Sequence, residues 1–294
     1  MSEGSSPAPA RLYALLALLA VVWSANFVFA KIALRELEPM TLGMVRFSLA
    51  GLFILPIYLW KKGVPKSYDP LRARFLAVSV VCIGINQLMF VSGLSRTSVA
   101  HSALILALTP VWVLLMARML GHEPVTVSKL VGLAIAISGV GVLQTRHSPN
   151  AESSMFGDLL IFGASITWAG YTVASKWARE HLDSLTMNTI TYGGTALVFL
   201  PLTAWFAWPV EFSRLSLTVW SSLIYMAIFP TLVGVAIYYH CMRFMSASRI
   251  SMIAYAQPLL ATAFAVLMLG ESISQAVVWG GVLVLAGVVW TERC

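Results

Sequence analysis

Acidic residues are scarce in this chain. Only 12 of its 294 residues are aspartate or glutamate, and those from Glu36 to Glu271 all stand in polar breaks or at the ends of apolar runs. Proton-coupled carriers ordinarily keep a carboxylate or histidine at membrane depth as a relay, so the lack of a mid-run carboxylate leaves histidine as the available relay. Charge of either sign amounts to 11% of residues, too little to cover a water-soluble globule of this length. Cysteine is limited to Cys82, Cys241 and Cys294, whose spacing builds neither a disulfide framework nor a metal site. No metal or cofactor is expected. Stretches of about 10 residues with alternating polarity are missing too, which excludes a transmembrane barrel. A membrane enzyme acting on lipid-linked substrates is the main rival class. It would need a His-x-x-x-His pair, paired mid-run carboxylates or a glycine-rich phosphate loop, and none is found.

What the chain has in abundance is apolar sequence, at 59%. Runs of roughly 20 residues, enough to cross a hydrocarbon core of about 30 Å as a helix, follow one another with short polar breaks. In lipid each backbone amide must find its partner within its own segment, so the predicted fold is an all-α membrane protein of about ten transmembrane helices. The predicted spans are 12–34, 40–60, 73–95, 98–119 and 125–145, then 156–179, 185–207, 216–244, 248–269 and 274–292. Residues 1–10 are small, polar and proline-containing, and read as a disordered cytoplasmic tail. The apolar run after Arg11 is too long for a signal peptide.

The chain is written twice. Trp23 to Lys31 recurs as Trp168 to Lys176, 145 positions on, and Pro56 recurs as Pro201 at the same offset. Further along the offset is 148, pairing Pro110 with Pro258, Glu123 with Glu271, Gly132 with Gly280 and Gly139 with Gly287. The expected units are residues 11–147 and 156–292, with five spans each. An odd number of spans makes the second unit enter the membrane from the opposite side, so the repeats are expected to be inverted, as in many secondary transporters. Of the 19 lysines and arginines, 13 fall on the amino-terminal side of the predicted spans and five on the other, with Arg46 inside the second span. That asymmetry predicts both termini in the cytoplasm. The formal charge of +7 is thus read as an orientation signal and not as a nucleic-acid surface.

Several of these features together resemble the EamA branch of the drug/metabolite transporter superfamily across about residues 11–292. They are the Trp-x-x-Asn-Phe segment at Trp23 to Phe27, the Arg46-Phe47 pair, the Thr109-Pro110 and Gln257-Pro258 breaks, the boundaries at Glu123 and Glu271, and the glycine-spaced fifth and tenth spans. Within that branch the chain is similar to the YddG-type exporters of aromatic amino acids. The resemblance implies a ten-helix transporter of the bacterial inner membrane with a central cavity between its halves, acting as monomer or homodimer on a small-molecule substrate. Export as the direction of transport comes from this resemblance alone. The copies differ at polar positions: Arg46 aligns with Thr191, Asn26 with Tyr171, and Thr109 with Gln257. Such broken symmetry suits a cavity that holds an asymmetric solute.

Trp23 and Trp168 fall near the midpoints of their spans, away from the headgroup belt that tryptophan favours, so they read as either packing or cavity wall. Asn26, Asn86, Gln87 and Gln257 are amides at membrane depth, each open to an interhelical hydrogen bond or a substrate contact. Phe27, Phe90, Tyr171, Tyr238 and Tyr255 complete an amphipathic lining if they face inward; Tyr239 is grouped with them. His240 and His101 are the coupling candidates, against the plainer reading of satisfied structural histidines; facilitated transport and histidine-based coupling both stay open. Arg46 and Lys31 are the cations nearest the expected cavity. For Arg46 a salt bridge to Glu36 or Glu38 is the simpler expectation, and a substrate carboxylate is the other. Pro110, Pro230, Gly234 and Pro258 interrupt helical bonding and are the expected hinges. The Gly132/Gly139 and Gly280/Gly287 pairs predict close helix contact, within the bundle first. A carrier of phosphorylated sugars would need several cations in its cavity, more than this chain offers.

Overall fold

The computed structural model describes residues 9–64, 69–119, 126–143, 154–244 and 253–293. The first half comprises α1 (Pro9–Ala33), α2 (Pro39–Lys62), α3 (Pro70–Leu94), α4 (Val99–Leu106), α5 (Thr109–Met119) and α6 (Val127–Leu143). The second comprises α7 (Met155–Ala178), α8 (Ser184–Ala207), α9 (Leu217–Phe244), α10 (Ile253–Leu269) and α11 (Gln275–Arg293). No strand occurs among the described residues. Local chemistry fixes the starts: Asp69, Ser98, Ser154, Asp183 and Ser216 each accept a backbone N–H of the first helical turn, and Pro39 and Pro70 occupy first-turn positions where no donor is needed.

Among the described residues six helical segments are long and apolar enough to cross a membrane, α4 and α5 counting together as one, and further helices are apolar but shorter. Their outward faces carry large apolar side chains. Trp208 is 91% exposed, Trp60 84% and Leu267 81%. Such a surface is stable against lipid and not against water. The protein is a multi-pass membrane protein.

Departures from the sequence expectations are local. Helix already begins at Pro9, so the last two residues of the expected tail belong to α1; residues 1–8 lie outside the described residues, as do Glu123, Arg146 and Arg249. The Thr109-Pro110 break divides one expected span into α4 and α5, and the Thr109 hydroxyl bonds back to the Leu106 carbonyl. Three spans contain wide π turns, at Val80–Gly84 in α3, Thr189–Gly194 in α8 and Ala227–Gly234 in α9. Single-turn π segments inside α-helices recur at functional sites.

Hydrogen bonds sort the helix ends into two groups. One group joins the end of α1, the α3–α4 turn, the start of α7 and the start of α9: Lys31 Nζ donates to the Thr97 carbonyl, the Ser154 amide to the Arg96 carbonyl, and the Ser216 amide to Glu36. This is the Glu36 end. The other group includes Lys62, whose ammonium lies 3.2 Å from Asp183 between the end of α2 and the start of α8. This is the Lys62 end. The first helix of the first half therefore finishes where the first helix of the second half begins.

The fifth and tenth spans, α6 and α11, cross in backbone contact within the chain, as their glycines predict. A Cβ on Gly287 would stand 2.4 Å from the Ala136 amide nitrogen and 2.5 Å from the Gly132 carbonyl oxygen. Only hydrogen fits there.

Candidate substrate site at the bundle centre

The π turn of α9 organises the centre. Pro230 has no N–H, so in regular helix the Met226 carbonyl would lose its donor. Here the Thr231 hydroxyl donates to that carbonyl at 2.7 Å. The next orphan is the Pro230 carbonyl itself, which accepts the Trp23 indole N–H at 3.0 Å. Gly234 makes the approach possible, since a Cβ there would lie 2.8 Å from Trp23 Nε1. Two of the expected hinge residues thus hold a ring from the opposite half of the chain.

Trp23 meets its counterpart. Its ring stands edge-on to Trp168 with centroids 5.5 Å apart and planes at 90°, and Tyr238 packs on it at 5.5 Å. Trp168 in turn touches Tyr171 at 5.7 Å. Edge-to-face aromatic pairs contribute about 1 kcal/mol beyond the area they bury. The Tyr171 hydroxyl is spent inside the protein, on Thr191 at 2.8 Å and on the Tyr239 hydroxyl. Phe27 and Phe90 form their own pair at 5.4 Å, in a second apolar cluster with α4 and α10 residues. The lining expected as one surface is therefore two clusters, with Trp23, Trp168, Tyr171 and Tyr238 in one and Phe27 and Phe90 in the other.

Polar groups around these rings divide by whether they are satisfied. Asn86 donates to the Ala164 carbonyl and to Thr167, clamping α3 to α7. Its neighbour Gln87 is buried with Nε2 unpartnered, and Asn26 is buried with Oδ1 unpartnered. The Gln257 carbonyl accepts a long bond from Ser24 at 3.4 Å, beside Pro258. The side chain of Tyr255 lies outside the described residues.

The expected salt bridge of Arg46 to Glu36 or Glu38 is not formed. Glu36 bonds to Ser216 and Glu38 is exposed. Arg46 is 7% exposed and uses Nε and Nη2 on a single acceptor, the Thr231 hydroxyl, at 3.2 and 2.9 Å. The cause is its position: Arg46 lies two turns into α2, opposite the α9 π turn, whereas both glutamates sit before that helix starts.

The histidines are far from equivalent. His240 is exposed and lies against Phe244 at 5.2 Å. His101 is buried at the Glu36 end, with Nδ1 3.0 Å from Asp158 Oδ2, while Asp158 Oδ1 accepts the Thr97 hydroxyl at 2.5 Å. Lys31 reaches the same turn and donates to the carbonyls of Leu94 and Thr97 at 3.0 and 2.8 Å. Lys31 thereby caps the C-terminus of α3.

A profile of the EamA-like transporter family matches residues 11–145 and again 155–292. The chain belongs to the EamA-like transporter family. Two tandem copies of the family domain account for the duplication read from the sequence. Similar relatives include an uncharacterized transporter of Archaeoglobus fulgidus, 27% identical over 96% of this chain and 97% of the relative. The transporter YyaM of Bacillus subtilis is 29% identical over 94% of this chain and 92% of its own length. The inner membrane transporter YedA of Escherichia coli is 24% identical over 95% and 90%. One solved crystal structure shares the fold with a TM-score of 0.65 and 18% identity, covering 96% of each chain. The protein is a membrane transporter.

Thr231, Gln87, Thr97 and Asp158 are the residues whose part the sequence reading missed or underrated. Asp158 stands at a span end, where a carboxylate looks solvated, and only the fold shows it buried. Thr231 carried one signal, its place directly after a mid-span proline.

Proposed function

We propose that this transporter exports amphipathic small metabolites, aromatic or hydrophobic amino acids foremost. It would work by alternating access between two inverted five-helix halves, with ten crossings in a bacterial inner membrane and both termini in the cytoplasm. The observation that carries the reading is the contact of Trp23 with Trp168. Two rings 145 positions apart, at matched places in the two copies, meet at 5.5 Å, and Asn26, one helical turn on from Trp23, has a buried oxygen without a partner. Rings from both halves with sparse convergent polar groups are the usual make-up of a site for an amphipathic ligand. The opposed directions of α1 and α7 support the inverted arrangement, which gives a carrier two similar gates. The lysine and arginine asymmetry assigns the Glu36 end to the extracytoplasmic side.

The decisive test is proteoliposome flux with radiolabelled amino acids and sugars, with and without a pH gradient. Saturable flux of aromatic amino acids, abolished in Trp23→Ala and Trp168→Ala proteins that remain folded, is the expected result. Flux confined to sugars, or unchanged in both variants, overturns the substrate class. Uphill movement driven by a pH gradient would replace facilitated transport with coupling.

A further inference from the structure

Arg46 is a buried cation that no carboxylate among the described residues pairs with. The described carboxylates are committed elsewhere or face solvent. Asp158 is on His101 and Thr97, Asp183 on Lys62, Glu211 on Arg214, Asp69 on Arg72, Glu271 on the Val99 amide and Glu36 on Ser216, while Glu38 and Glu180 are exposed. The oxygens facing Arg46 are neutral: the Thr231 hydroxyl, which already donates its own proton to the Met226 carbonyl, and the nearby Tyr192 phenol. A guanidinium taken out of water is strongly unfavourable unless an anion meets it.

The geometry of the guanidinium says what that anion is. Thr231 takes the side edge, formed by Nε and Nη2. The end-on fork of Nη1 and Nη2 is left, and Nη1 donates to no described residue. Two parallel N–H groups at that edge match the two oxygens of a carboxylate. The same π turn serves both groups: Thr231, which holds Arg46, directly follows Pro230, whose carbonyl holds Trp23. Among the described lysines and arginines no second one joins Arg46 at the centre, since Lys31 serves carbonyls at the Glu36 end. One cation balances one negative charge, which fits a carboxylate better than a phosphate dianion.

We infer that the end-on fork of Arg46 binds a carboxylate of the transported solute, whose apolar part lies on the Trp23–Trp168 pair. This rests on the transporter reading and deepens it by naming the chemical group that the substrate must carry.

Purified protein in nanodiscs would be titrated with three probes: tryptophan, tryptophan amide, and a short aliphatic amino acid. The readouts are binding by scintillation proximity and the unfolding temperature. Wild-type protein is expected to bind tryptophan about 10- to 100-fold more tightly than its amide, the range for one charge-assisted hydrogen-bonded contact. In Arg46→Gln that ratio falls towards one, and in Arg46→Lys it is intermediate. The unliganded Arg46→Gln protein should unfold no earlier than wild type, because an uncompensated charge has been removed. A structural arginine would give the reverse, a lower unfolding temperature with the acid-to-amide ratio kept. Equal binding of acid and amide by wild type overturns the inference, as does the absence of saturable binding by either acid. Tight binding of the aliphatic acid with weak binding of tryptophan would sustain the carboxylate site and defeat only the aromatic preference.

Discussion

The Glu36 end and the bundle centre treat buried polarity differently, although Ser102 Oγ beside His101 is unpartnered at the Glu36 end too. At the Glu36 end, Asp158 meets His101 and Thr97, Lys31 meets two helix-terminal carbonyls, and Glu271 meets the first amide of α4. The Asp158 and Glu271 contacts tie the first half of the chain to the second, and the Lys31 contacts tie α1 to the end of α3 within the first half. In the centre, Asn26 Oδ1 and Gln87 Nε2 have no partner, and Arg46 has only a hydroxyl along one edge. Leaving a buried amide unpaired costs about 1–3 kcal/mol, so such groups persist where a ligand completes them. The end of the bundle looks built to hold the halves together, and the centre to wait for something.

That contrast breaks most visibly at Asp158. Replacing it by alanine strands the His101 ring and the Thr97 hydroxyl in a buried site, and should lower stability by about 3 kcal/mol, near the lower end for loss of one buried partner. Asp158→Asn keeps an oxygen for Thr97 and should cost about half as much. Unfolding followed by tryptophan fluorescence in nanodiscs measures both. A loss under about 1 kcal/mol for the alanine variant would remove the Glu36 end from the elements that hold the fold.

Gly234→Ala comes next, because it strikes the junction between structure and site. The added Cβ must push Trp23 from Pro230 or move the π turn, an overpacking penalty of about 1–2 kcal/mol. The expected signature is lost binding of the aromatic probes with a modest drop in unfolding temperature. Unchanged probe affinity would separate the Trp23–Pro230 bond from the site.

Gln87→Leu sharpens the comparison from the other side. A leucine of similar volume removes an unpaired amide, so the unliganded protein should be as stable as wild type or up to about 1 kcal/mol more stable, while flux falls. A stability loss matching that of Asp158→Ala would show Gln87 to be a structural residue like those at the Glu36 end.

Much of this was legible in the chain itself, for physical reasons. Length and apolarity dictate helices in lipid, and the 145-residue register dictates matched halves; both hold however side chains turn. Trp23 and Trp168 could be nominated because a repeated mid-span ring is unusual. Helix faces were not legible. Asn86 and Gln87 are adjacent and chemically alike, yet one clamps α7 and the other has an unpartnered Nε2, because neighbours on a helix point about 100° apart. Arg46 was assigned a partner by proximity in sequence, but two helical turns separate it from Glu36 and Glu38. The sequence favours His240 over His101 as a relay, yet His240 is exposed and His101 is the buried one.

The smallest effect belongs to Glu36, a surface tie of its end. Its carboxylate accepts the Ser216 hydroxyl at 2.6 Å and the Ser216 amide at 2.9 Å, which pins the α1–α2 turn to the start of α9. Those two bonds, the hydroxyl's first, hold its pKa below the usual glutamate value. A carboxyl depressed in the folded state stabilises above its unfolded pKa and loses that contribution as pH falls through the folded value. Wild type should therefore lose a small part of its unfolding temperature on acidification below the carboxylate range, whereas Glu36→Gln should lose less over the same interval. Because the group is exposed, added salt should shrink the difference. The buried His101–Asp158 contact should barely respond to salt, so measuring both variants across ionic strength separates a surface tie from a buried one within the same end of the bundle. A salt-independent, pH-independent difference for Glu36→Gln would mean that its bonds to Ser216 act through packing of the turn and not through charge.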